Sequence, residues 1–112
     1  MNGQIQVLVS STGSSWDIVS NGVGSVVNNI WYHIAFTRSG NIWKLFLDGT
    51  EVYTTTIAIV PFSSSNLLRI GSDGNTDPNR TMNGYIDEVR ITNGTARYIT
   101  NFILPTAPFP NQ

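Results

Sequence analysis

Trp31-Tyr-His-Ile-Ala-Phe-Thr-Arg-Ser-Gly-Asn-Ile-Trp-Lys-Leu-Phe-Leu-Asp-Gly-Thr-Glu-Val-Tyr-Thr-Thr-Thr56 alternates apolar and polar residues across two tight-turn signals. Period two marks a strand with one face on a core, because successive side chains leave opposite faces. From Trp31 to Thr37, Tyr32, Ile34 and Phe36 share one face and Trp31, His33 and Ala35 the other. Ser39-Gly-Asn41 then reads as a hairpin turn, since Gly and Asn tolerate positive φ. Ile42 to Asp48 follows, with Trp43, Leu45 and Leu47 opposite Ile42, Lys44 and Phe46. Asp48-Gly49 is a second hairpin signal, returning the chain along Glu51 to Thr56.

The same pattern spreads outward in short runs ended by Gly, Asn or Ser. Ile5, Val7 and Val9 oppose Gln4, Gln6 and Leu8, and after the turn Ser11-Thr-Gly-Ser14 a short strand runs from Trp16 to Val19. Downstream, Pro61 to Asn66 reads as a loop, Leu67 to Gly71 as a short strand, and Asp73 to Arg80 as a polar loop. Met82 to Ile91 reads as the longest strand. Ile86 and Val89 have opposite parity there, which a β-bulge near Asp87-Glu88 would reconcile. Thr95 to Ile99 is expected to make one helical turn. The tail Asn101 to Gln112 is expected to be extended and pinned by Phe102, Ile103, Leu104 and Phe109. No longer helix fits, so the chain is all-β, and two packed antiparallel sheets bury such strands.

Composition narrows the functions. The chain has 112 residues, a single-domain length, and 40% are apolar, so a packed core is expected rather than disorder. Only 12% are charged, while 12 Asn, 12 Thr and 11 Ser supply polarity through amides and hydroxyls. That surface suits an extracellular or virion setting. Net charge is −1, and six scattered basic residues make no patch for a phosphate backbone, so nucleic acid is not an expected partner. No cysteine is present, which excludes disulfides and thiolate metal sites. No apolar run approaches the roughly 18 residues of a membrane span, and the opening Met1-Asn-Gly-Gln lacks the basic and apolar regions of a secretory signal.

Several motifs in order resemble the laminin-G-like branch of the concanavalin A-like jelly-roll lectins. They are Ser10-Ser-Thr-Gly-Ser-Ser-Trp-Asp17, Trp31-x-His33, Thr37-Arg-Ser-Gly40, Leu45-Phe-Leu-Asp-Gly49, Gly84-Tyr-Ile-Asp-Glu-Val-Arg-Ile91 and Pro105-Thr-Ala-Pro-Phe-Pro110. The Ala96-Arg-Tyr98 element and the ending look like the variant in bacteriophage structural and bacterial surface proteins. The resemblance implies a two-sheet antiparallel jelly-roll sandwich and surface binding without catalytic machinery. Such domains begin with further strands, including an aromatic-rich one, that have no counterpart here. The chain is therefore expected to be either a fragment of a longer protein or a shortened module with an open sheet edge, which a second chain completes or covers.

Candidate sites follow from side-chain chemistry. An aromatic face beside amides or carboxylates suits sugar, and Trp16, Trp43, Tyr53 and Tyr98 are the candidates, against core packing as the plainer role. The resemblance itself places Trp16 and Trp31 at framework positions. Asp73-Gly-Asn-Thr-Asp77 opens like a calcium loop, making Asp73, Asn75 and Asp77 candidate ligands. Pro78 stands where such a loop wants Gly, and Gly84 where it wants Glu, so a solvated turn competes. No other cofactor is expected. His33 is the only histidine and no Gly-x-Ser-x-Gly elbow accompanies it. Asp87 and Glu88 are adjacent, on opposite faces of a strand, not the pair that retaining glycosidases place roughly 5 Å apart. Asn79-Arg-Thr81 and Asn93-Gly-Thr95 match the glycosylation pattern by chance.

The expectation is a non-enzymatic attachment module on a virion or extracellular surface, as a decoration, fibre or knob element. It would bind neighbouring subunits, as a homo-oligomer or with other virion proteins, or host glycan, without membrane insertion. The rival is a carbohydrate-binding domain of a secreted bacterial enzyme or adhesin. A glycoside hydrolase is the third class.

Overall fold

Two turns set the register of the central sheet. The computed structural model describes residues 2–74 and 76–108. Among these described residues are seven strands: β1 (Asn2–Ile5), β2 (Leu8–Val9), β3 (Ile18–Val19), β4 (Val23–Val27), β5 (Ile34–Ser39), β6 (Ile42–Leu47) and β7 (Thr50–Thr56). Pairing is antiparallel throughout: β1 with β4, β2 with β3, and β5-β6-β7 in order. Between β5 and β6, Ser39 pairs with Ile42 across Gly40-Asn41, where only Gly40 has positive φ (60°), the pattern of a type II′ turn. Between β6 and β7, Leu47 pairs with Thr50 across Asp48 (φ 50°) and Gly49 (φ 81°), the pattern of a type I′ turn. Both turns match the right-handed twist of the strands they join, so the hairpins form where the sequence places them.

Both faces of this sheet are partly covered, chiefly over β6. Trp43 and Leu45 lie buried on one face, and β4 crosses its end so closely that a Cβ on Gly24 would come 2.9 Å from Leu47 Cδ2. Phe46, fully buried on the other face, packs edge-on against Phe102, ring centroids 5.4 Å apart. A C-terminal strap holds Phe102 there. Its N–H donates to Gly49 O at 2.9 Å, Glu51 N–H to Asn101 Oδ1 at 2.8 Å, and Thr37 Oγ1 to Tyr98 O at 2.9 Å. Layers on either side of a hydrophobic sheet make this the all-β, antiparallel sandwich that the alternation implies.

Other elements differ from expectation. The first run splits into β1 and β2, because buried Ser20 Oγ accepts Val7 N–H at 2.7 Å. Trp16 to Val19 contracts to β3, since the Asp17 carboxylate turns back to accept Ser11 N–H at 2.6 Å. β5 starts at Ile34, as Asp48 takes both backbone groups of His33. β4 was not expected, because Gly24 (φ 66°) hides its alternation. Neither Leu67 to Gly71 nor Met82 to Ile91 is a strand. Among the described residues they are joined by the bridge Ser72–Thr81 beside them and by Met82 N–H to Gly71 O, 2.7 Å. Asp87 Oδ1 accepts the N–H of Glu88 (2.8 Å), whose φ of 52° leaves the extended region. The irregularity falls where the parity change puts it, but without a ladder around it. Thr95 to Ile99 forms no helical turn; Pro78–Arg80 makes a single 3₁₀ turn instead. In the tail Phe102 docks while Ile103 is 94% exposed, and Phe109 lies outside the described residues.

Candidate functional site

β5 is the outermost strand of its sheet, and beside it lies a cleft of about 740 Å³, within the roughly 300–1,000 Å³ of small-ligand sites. The strand side is built by the II′ turn. Pairing Ser39 with Ile42 puts Arg38 opposite Trp43 and Phe36 opposite Leu45 on one face. Phe36 stacks on Trp43 at 5.9 Å and 26°, and the Arg38 guanidinium carbon sits 4.9 Å over the Trp43 ring. Arg38 Nε also donates to Gly40 O at 2.8 Å, which fixes its plane. Trp43 Nε1 donates to Ile57 O at 3.2 Å, so the buried indole has its polar tip satisfied.

Asp87, Glu88, Arg90, Asn93 and Tyr98 also line the cleft. Asp87 and Glu88 are held at the kink described above, and Arg97 Nε donates to Thr92 Oγ1 at 2.8 Å. Tyr98 stacks on Phe102 at 3.7 Å and 11°, and both meet the His33 ring edge-on. His33 Nδ1 is buried without a hydrogen-bond partner. The imidazole is a wedge under the strap.

The structure brings together two of the four aromatic candidates. Trp43 and Tyr98 both line the cleft, Trp43 as a buried support at 4% exposure. Trp16 stands apart, 60% exposed, on the Ser10–Asp17 loop, where Ser10 Oγ accepts Thr12 and Gly13 N–H groups. Tyr53 is half-buried on β7 opposite Leu45. Of the calcium candidates, Asp73 Oδ2 pairs with Arg80 Nη1 at 3.0 Å, and Asp77 Oδ1 accepts the N–H and side-chain amide of Asn79, each at 2.9 Å. Asn75 lies outside the described residues. Among the described residues no group of three or more His, Asp or Glu is gathered as for a metal. Phe36, Arg38 and Asn93 were not singled out for binding. The hairpin register alone would have put the first two beside Trp43.

An aromatic face 39% exposed at Phe36, three guanidinium groups (Arg38, Arg90 and Arg97), two carboxylates and an amide share this cleft. They can stack on an apolar ring face and bond a rim of hydroxyls. A laminin-G family model, described as the concanavalin A-like lectin/glucanases superfamily, matches residues 1–97. No curated protein and no solved structure matches the chain.

Proposed function

Because the chain belongs to the concanavalin A-like lectin/glucanases superfamily, we propose that it is a non-catalytic attachment module whose cleft beside β5 takes carbohydrate. The observation that carries this reading is the meeting of Phe36 and Arg38 with Asp87, Glu88 and Asn93 around one opening. A pyranose offers C–H groups on its faces and hydroxyls at its rim, and such a site answers both. A non-catalytic role rests on the carboxylates. Asp87 and Glu88 are consecutive, and Asp87 Oδ1 already accepts a backbone N–H, whereas retaining hydrolysis needs two carboxyls roughly 5 Å apart astride one bond. The setting we propose is the outside of a particle, most simply a virion, where the module holds neighbouring subunits or host glycan. The amide- and hydroxyl-rich composition and the phage-like form of the motifs support it.

A glycan array followed by calorimetry with gluco-oligosaccharides tests the reading. Arg38→Ala is expected to weaken binding about tenfold or more, the worth of a lost charged hydrogen bond. Phe36→Ala is expected to do the same through lost stacking. Trp16→Ala should leave affinity unchanged. Equal affinity in all three would refute the cleft as the site. Oligosaccharide cleavage that Glu88→Gln abolishes would make the protein a glucanase.

A further inference from the structure

Charge is distributed unevenly between the cleft beside β5 and the rest of the chain. The lining holds Arg38, Arg90 and Arg97 against Asp87 and Glu88, three of the chain's six basic residues and two of its seven acidic ones. It is therefore net positive on a protein whose net charge is −1. A cleft with an excess of one sign concentrates ligands of the other. Two of its guanidiniums are also held ready. Arg38 Nε donates to Gly40 O and Arg97 Nε to Thr92 Oγ1, each at 2.8 Å, and Arg38 rests in addition on the Trp43 ring. These contacts fix the guanidinium planes and leave the terminal Nη groups to donate. Elsewhere Lys44 pairs with Glu51 and Arg80 with Asp73, whereas among the described residues neither Arg38 nor Arg97 makes an ion pair. Both residues are exposed, so an anion can reach them from solvent.

We propose that the saccharide this cleft takes is acidic, a chain of hexuronate residues whose carboxylates are bound by Arg38 and Arg97. The inference deepens the carbohydrate reading of the cleft and rests on it. A carboxylate is planar and accepts two parallel N–H bonds from a guanidinium fork, each strengthened by charge on both partners. The hydroxymethyl group that a neutral hexose carries at the same carbon offers a single uncharged oxygen. Asp87 and Glu88 stay outnumbered in the lining, and as acceptors they suit the hydroxyls of the same ligand. The aromatic face at Phe36 is indifferent to the substituent, so the guanidiniums decide between acidic and neutral sugar.

Calorimetry of the full chain with two oligosaccharides of one length and linkage is the test: a neutral cello-oligosaccharide, and the same chain oxidised at C6 to glucuronate. The oxidised chain is expected to bind the wild type at least tenfold more tightly, the worth of a hydrogen bond to a charged group, by a margin that shrinks as salt is raised. This comparison needs no variant to fold. Arg97→Gln, at an exposed position and with circular dichroism unchanged, is expected to narrow the margin. Arg97→Lys is expected to narrow it less, since it keeps the charge and loses the fork. Binding of the oxidised chain alone upholds both the inference and the carbohydrate reading. Equal or weaker binding of the oxidised chain, or a margin that survives Arg97→Gln undiminished, overturns the inference and leaves a neutral carbohydrate site standing. Failure of both oligosaccharides to bind overturns the carbohydrate reading, and this inference with it.

Discussion

Gly49→Ala is expected to destabilise the fold by about 3 kcal/mol, read as a fall in the urea midpoint at unchanged slope. Two causes add. At φ 81° a Cβ costs roughly 1–2 kcal/mol by itself. That Cβ would also run into the carbonyl oxygen of Phe102, which is backbone and cannot rotate away. Relief requires the strap to lift, which loses the Phe102 N–H to Gly49 O bond and the Glu51 N–H to Asn101 bond. Gly40→Ala separates the two effects. Its φ is 60°, but nothing lies within 4 Å of its Cβ, so only the conformational cost, roughly 1–2 kcal/mol, is expected. Equal losses at the two glycines would mean that the strap does not lie against the β6–β7 turn.

Phe46→Ala is expected to cost about 3–5 kcal/mol, as large-to-small changes at buried aromatics do. Phe46 is fully buried and meets the Phe102 ring, so truncation opens a cavity between sheet and strap. A domain with a net stability of roughly 5–15 kcal/mol would be left marginal. Phe36→Ala, on the half-open face, should cost much less. A loss below about 1 kcal/mol at Phe46 would place that residue in water and deny the second layer.

What the sequence disclosed depended on the range of the interaction. The β5-β6-β7 unit was legible because each turn carries its own chemistry, Gly40-Asn41 and Asp48-Gly49, between alternating strands. Its register already contained the Phe36–Trp43–Arg38 ladder. The rest of the cleft was not legible, because Asp87 to Tyr98 reaches β5 from about fifty residues away and period two does not name partners. Met82 to Ile91 shows the opposite failure. Its apolar residues read as a strand, yet the Asp87 carboxylate takes the next N–H and Glu88 turns left-handed, a local competition invisible to patterning. The same residues remain apolar, and in the fold Met82, Ile86, Val89 and Ile91 are exposed. The four aromatics divided according to tertiary neighbours: Trp43 and Tyr98 entered the cleft, while Trp16 and Tyr53 stayed outside.

An amide chemical-shift titration with gluco-oligosaccharides tests the central claim most directly, with the sugar's own signals followed in the same tube. The account predicts saturable shifts at Phe36, Arg38, Asn93 and Tyr98, and an oligosaccharide that stays intact. Shifts confined to the Ser10–Asp17 loop, or new reducing ends accumulating with time, would contradict it.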